Sequence, residues 1–250
     1  MVQSTVFALS LSITPYLLLL LPTLTTTNAA VIPNTKRQSY CAITENSRLV
    51  LPPDQNNLTL PDPSISSVQF VTVGVGVQNY TCINNAWSGS GALATMYDIS
   101  PSLYSPLTTF QTIQDEILTQ ALQISPTPLP VFPASDLQPS IHGVRPHPIG
   151  FHFFKPSSPA SSPVFDFTRE LGDSMKFFVG ALKGKVDDPR DKVGNVPWLE
   201  LEKKGGEEGD LADIVFRVDT KGGQPPAGAC EANTVTSVPY AAKYWFFRPC

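Results

Sequence analysis

All three histidines of the chain fall five residues apart, at His142, His147 and His152. That spacing puts no two of them on one helical face, and Pro146 and Pro148 exclude a helix across the stretch. They could ligate a metal only by converging from an extended loop. Solvated loop histidines with one packed strand histidine, His152, is the favoured reading, and no metal ligand or cofactor is assigned. Asp166 with Asp173, or Asp98 with the later acids, have the residue types of a glycosidase pair, which needs an acid and a base or nucleophile at a set separation. The sequence sets no such separation, and acids in polar turns are solvated by default. Arg217 differs, because it lies within the apolar strand Ile214-Val215-Phe216-Arg217-Val218. An inward arginine would need a carboxylate partner, whereas an outward one needs none.

Gly74-Val75-Gly76-Val77-Gln78-Asn79 resembles a dinucleotide loop, but the third glycine is missing and Tyr80-Thr81-Cys82 follows where a helix should begin. Without a helix N-terminus nothing there would hold a pyrophosphate, so a glycine-containing strand is expected. Gly89-Ser90-Gly91 is a Gly-Ser turn rather than a GxSxG nucleophile elbow. Trp87, read within the polar turn Asn84 to Gly89, is the best placed aromatic to form an exposed platform; Trp198 and Trp245 are expected in the core.

The elements that must position these residues are mainly strands. Val68 to Val73 and Val75 to Cys82, split at Gly74, are β-branched or aromatic, and Gly91 to Tyr97 follows. Gly76, Gln78, Tyr80 and Cys82 share one face, and Asn79 and Thr81 the other, towards solvent. Further strands are expected at Gly150 to Phe154, Val164 to Phe167, Met175 to Leu182, Trp198 to Leu201, Asp213 to Asp219 and Tyr240 to Phe247. In the last, Tyr240, Ala242, Tyr244 and Phe246 oppose Ala241, Lys243, Trp245 and Phe247. One amphipathic helix is predicted over 105–122, capped by Ser105 with Pro106 in its first turn; its apolar face includes Phe110, Ile113, Ile117, Leu118 and Leu122, with Gln114 intruding. Residues 125–163 form a long Pro-rich loop. The fold class is therefore mainly β, a single-domain sandwich or barrel spanning 41–250 with one helix.

Val6 to Leu24 is apolar or small and ends near Asn28-Ala29-Ala30, so residues 1–30 read as a cleaved signal peptide. Pro15 and Pro22 interrupt the run, and its densest part is shorter than the roughly 20 residues that span a bilayer. Lys36-Arg37 is either a processing site that would make 31–37 a pro-segment, or a solvated charge pair. Cys41, Cys82, Cys230 and Cys250 are four cysteines in an exported chain, which favours two disulfides with three pairings open. Asn57-Leu58-Thr59 and Asn79-Tyr80-Thr81 are glycosylation sequons. The net charge of −4, with no basic stripe, argues against a nucleic-acid partner.

One ordered series of motifs carries a resemblance. It comprises Gly76-x-Gln78-x-Tyr80-x-Cys82, Gly91-Ala92-x-Ala94-x-x-Tyr97-Asp98, Gly150-x-His152-x-Phe154, Val164-Phe165-Asp166-Phe167, Arg217-Val218-Asp219-Thr220-x-Gly222-Gly223-x-x-Pro226, Cys230 and Tyr240-Ala241-Ala242-x-Tyr244-Trp245-Phe246-Phe247. Over roughly Leu49 to Phe247 the chain resembles a family of secreted fungal and bacterial proteins known only as a domain of unknown function. Its members are often labelled malate dehydrogenase, a label to which these residues lend no physical support. The resemblance implies one β domain and nominates Gln78, His152 and Arg217 for testing. The functional expectation is a non-catalytic extracellular protein of the cell wall or host interface that binds a polysaccharide through Trp87. The alternative is a secreted hydrolase using His152 and a carboxylate.

Overall fold

The computed structural model describes residues 49–52, 57–124, 140–141, 145–156 and 161–249. The segment 1–30 expected as a signal peptide, Lys36-Arg37, Cys41, His142 and Cys250 lie outside the described residues. Eight strands run β1 (Ser66–Ile83), β2 (Ala86–Asp98), β3 (His147–Lys155), β4 (Ser162–Asp166), β5 (Phe177–Val186), β6 (Trp198–Lys203), β7 (Ile214–Gly222) and β8 (Val235–Pro249). Each pairs antiparallel with the next, and β8 pairs with β1, so the sheet closes into an up-and-down barrel rather than a sandwich. Eight strands enclose a lumen just wide enough for side chains or one small ligand.

Two apolar layers result from one alternating pattern. Inward residues form a core of Met96, Phe165, Phe167, Phe178, Tyr244 and Phe246 with their neighbours. Outward residues Val71, Val73 and Val75 of β1 and Ala241, Trp245 and Phe247 of β8 form a second core with Phe110, Ile113 and Ile117 of the helix α1 (Leu107–Ile124). That helix lies against β1, β7 and β8, which is why β8 is buried on both faces from Tyr240 to Phe247. Gln114 is wholly buried in this interface, whereas Leu122 is exposed. The first helical hydrogen bond runs from the Phe110 N–H to the Pro106 carbonyl, so Pro106 and not Ser105 stands at the cap position.

Gly74 does not divide two strands, because β1 is continuous through it. Both glycines of Gly74-Val75-Gly76 serve close packing instead. A Cβ on Gly74 would stand 2.8 Å from the Tyr244 ring, and one on Gly76 would collide with the Leu93 carbonyl oxygen. The turn before β2 is also tighter than its composition suggests. Asn84 and Asn85 take φ of 52° and 62°, a two-residue hairpin turn that asparagine tolerates. Trp87 therefore lies within β2, paired with Cys82, and not in a turn. Within the expected Pro-rich loop 125–163, the strand expected at Gly150 to Phe154 is part of β3 (147–155), and Ser162 and Pro163 belong to β4; 125–139, 142–144 and 157–160 lie outside the described residues. Pro148 is accommodated beside a register shift opposite Tyr97.

Candidate functional site

A cavity of about 830 Å³ opens at one mouth of the barrel, and Gln78, Trp87, His152 and Arg217 all line it. Four strands deliver them, β1, β2, β3 and β7 in that order. Arg217 lies inward, and its partners are neutral. Its Nε and Nη2 donate to the Pro197 carbonyl at 3.2 and 2.9 Å, and Nη1 donates to Gln78 Oε1 at 3.3 Å. The Gln78 amide nitrogen in turn donates to the Gly91 carbonyl at 2.8 Å, which sets which end of the amide faces the guanidinium. Arg217 is 7% exposed, and among the described residues no carboxylate stands within ion-pair distance of it. The carboxylate expected for an inward arginine is thus not supplied by the described fold.

Tyrosines surround the same cation. The Tyr80 hydroxyl donates to the Gly223 carbonyl at 2.6 Å, and the Tyr240 and Tyr244 hydroxyls lie 3.0 Å apart. Burial pushes the Tyr80 phenol up to about 12, against the opposing pull of Arg217. Burial likewise raises Tyr240 and Tyr244, so all three phenols stay neutral at ordinary pH.

His152 stacks on Phe165 with ring centroids 4.3 Å apart and lies edge-on to Phe154. Its Nδ1 is 2.8 Å from the Val164 carbonyl. A carbonyl only accepts, so Nδ1 carries the proton and Nε2 holds the lone pair. Burial lowers the imidazole pKa to about 4; the Val164 bond opposes that shift and Arg217 adds to it. Neutral His152 is therefore the form the fold accepts. The unfolded chain takes the proton near pH 6.5 while the folded chain resists to about pH 4, so stability is full above 6.5 and falls through that interval. The expected loss is about 3 kcal/mol. Denaturant titrations of the parent and His152→Phe at pH 7 and pH 4 check this, and an equal acid loss in both would refute it.

The other nominated residues are dispersed. His147 is exposed at the start of β3, opposite Asp98. Among the described residues, no three histidine, cysteine or acidic side chains are grouped to hold a metal. Asp166 bonds the Thr168 N–H and hydroxyl, and Asp173 bonds the Met175 N–H, so both acids serve local turns away from the cavity. Asn57 is exposed; Asn79 is half-buried, and its Oδ1 accepts from the Ser237 hydroxyl at 2.7 Å. Cys82 is bonded to Cys230.

Sequence reasoning missed Tyr80, Phe154, Tyr244, Lys185, Asp187 and Pro197 as cavity residues. Tyr80 and Tyr244 were within reach, because period-two alternation places them on the inward rows of Gln78 and Phe246. Asp187 and Pro197 arrive on the loop between β5 and β6, where no periodicity announces them.

The fold and site define a closed antiparallel barrel with an aromatic floor and a buried arginine at an open mouth. A family described as a protein of unknown function (DUF3455) matches residues 63–248, from just before β1 to the penultimate residue of β8, and this chain belongs to it. No curated protein and no solved structure shows a match.

Proposed function

We propose that this is an extracellular binding protein that takes a small ligand, or the end of a glycan, into the barrel mouth and releases it unchanged. The observation that carries this reading is the convergence of Gln78, Trp87, His152 and Arg217 on one cavity of about 830 Å³. A cavity of that volume is the size that holds a small ligand, with a few fixed polar groups on a largely apolar wall. Trp87 supplies the aromatic face on which a sugar ring could stack, placing the wall or host interface among the settings for its action. The leader and the Cys82–Cys230 bond support an oxidising compartment.

Hydrolysis is the weaker reading. A general base works best with a pKa near the operating pH, and His152 is held at about 4. Its Nδ1 is oriented by a carbonyl, where a catalytic dyad would use a carboxylate.

The test uses the neutral dye Nile red. The parent should bind it saturably at one site, and Leu199→Trp, which fills the lumen beside Arg217, should weaken binding about tenfold or more. Chitohexaose, cellohexaose and laminarihexaose incubated with the protein should be recovered intact by mass spectrometry. A protein that binds neither this dye nor any other small amphiphile would remove the binding reading, and released fragments would replace it with the hydrolase.

A further inference from the structure

We propose that the ligand of this cavity is an organic anion with an apolar body, its carboxylate seated on Arg217. This rests on the binding reading above and adds the chemical class of the occupant.

Arginine cannot shed its proton to escape burial, because a guanidinium stays charged in proteins. A desolvated guanidinium is therefore retained only where other groups compensate its charge. Here the described partners are the Pro197 carbonyl, the Gln78 amide oxygen and the Tyr244 hydroxyl, all neutral. The same fold treats its other deeply buried cation differently: Lys243, 0% exposed, has Asp219 Oδ2 at 3.0 Å. Even Arg190, which is exposed, reaches a carboxylate, that of Asp188 at 3.5 Å. Arg217 is thus the deeply buried cation left without a counter-charge among the described residues, and it is the one that lines the cavity.

The surrounding charge points the same way. Arg217, Lys185 and Lys204 line the cavity against the single carboxylate of Asp187, although the chain as a whole carries −4. Neither lysine is in an ion pair with a described carboxylate; Lys204 donates to the Ser162 hydroxyl at 3.0 Å. His152 and the three tyrosines are neutral, so they neither supply the missing anion nor repel one. The wall also carries a wide apolar stretch, with Phe154, Phe165, Val196, Leu199 and Leu201 on it. A planar carboxylate matches the fork of the guanidinium, and an aromatic or aliphatic body matches the wall. A strongly hydroxylated uronate would leave its hydroxyls facing carbon, so an amphipathic acid is favoured over an acidic sugar.

The test pairs each acid with its alcohol: 4-phenylbutyrate with 4-phenylbutanol, and decanoate with decanol, with glucuronate as the sugar acid. Affinities are measured by calorimetry on the full chain. Each apolar acid should bind the parent at least about tenfold more tightly than its alcohol, the range of a charged hydrogen bond. Gln78→Glu would place a carboxylate where Gln78 Oε1 now meets Arg217. Its second oxygen would face the Gly91 carbonyl in place of the amide N–H that now donates there, so stability is not the readout; the acid-to-alcohol ratio should fall to within about twofold. Equal affinities for acid and alcohol in the parent would overturn the inference while leaving the binding reading intact. A ratio unchanged in Gln78→Glu would overturn the Arg217 seat, and glucuronate binding more tightly than both apolar acids would overturn the amphipathic class. If neither the dye nor any acid binds, both readings fall together.

Discussion

Replacing Asp188 with alanine is expected to cost the fold about 3–5 kcal/mol, the scale for stripping a buried, fully bonded charge of its role. Asp188 is 2% exposed. Its Oδ1 accepts from the N–H groups of Arg190 and Asp191 at 2.8 and 3.0 Å, which turns the chain sharply out of β5. Its Oδ2 accepts from Trp198 Nε1 at 2.9 Å and lies 2.7 Å from the Thr220 hydroxyl. Burial alone would raise this carboxyl, but the Thr220, Trp198 and two backbone bonds outweigh it and hold the group below its ordinary value. The ionised form is therefore the one the fold uses. Alanine would orphan several donors at once, each costing on the order of 1–3 kcal/mol where it stays buried.

The same loop carries Asp187, Val196 and Pro197 to the cavity, and the Pro197 carbonyl holds two nitrogens of Arg217. Asp188→Ala should therefore also release Arg217 from its seat and weaken ligand binding, although Asp188 does not line the cavity. Asparagine separates the two oxygens: its own oxygen can serve the Arg190 and Asp191 N–H groups, but its amide nitrogen then meets the Trp198 N–H, donor against donor. Asp188→Asn should fall between parent and Asp188→Ala, and Trp198→Phe should hurt the Asn variant less than it hurts the parent. Urea titrations of the four proteins form the cycle. Strictly additive losses would show that the Trp198 bond is not what the carboxylate supplies.

Much of this arrangement is written locally. The alternation of Tyr240 to Phe247 already separates the lumen row from the row under α1, and Gln78 and Tyr80 follow from the same period of two. Closure is not local: it depends on the pairing of β1 with β8, far apart in sequence, so sandwich and barrel read alike. The direction of Arg217 was illegible for a physical reason. Phe216 and Val218 lie under α1 in a layer as apolar as the lumen, so neither face of β7 looks like solvent. Trp87 was misplaced because Ser88-Gly89-Ser90-Gly91 has turn composition. In the barrel those small residues run along β2, and Gly91 at φ 133° leaves room for the Phe154 ring 3.3 Å from where a Cβ would be. Small residues there mark a strand beside a cavity, which composition alone cannot distinguish from a turn.

Removing the Cys82–Cys230 bond is expected to lower stability by about 5 kcal/mol, the loop-entropy value for a closure of this length. The two cysteines are 148 residues apart in sequence, so the bond excludes a large share of the unfolded chain's conformations. A domain of ordinary stability has roughly 5–15 kcal/mol in all, so Cys82→Ala/Cys230→Ala stands near the edge of folding. The local structure predicts a second effect. Cys82 lies at the end of β1 beside Trp87, where its N–H donates to the Thr234 carbonyl at 2.8 Å and its carbonyl accepts from Asn233 at 3.2 Å. The bond thus ties the segment from Gly223 to Thr234, which brings Gln224 and Pro225 to the cavity, onto the β1–β2 hairpin. If the entropy of the unfolded chain dominates, the double variant should fold more slowly, unfold at nearly the parent's rate and keep the parent's near-ultraviolet dichroism. If anchoring of the mouth dominates, unfolding should accelerate and dye affinity should fall while the equilibrium loss stays near 1 kcal/mol. Stopped-flow kinetics of the double variant beside the oxidised and reduced parent decide between them. A reduced parent as stable as the oxidised one would deny the bond any structural role.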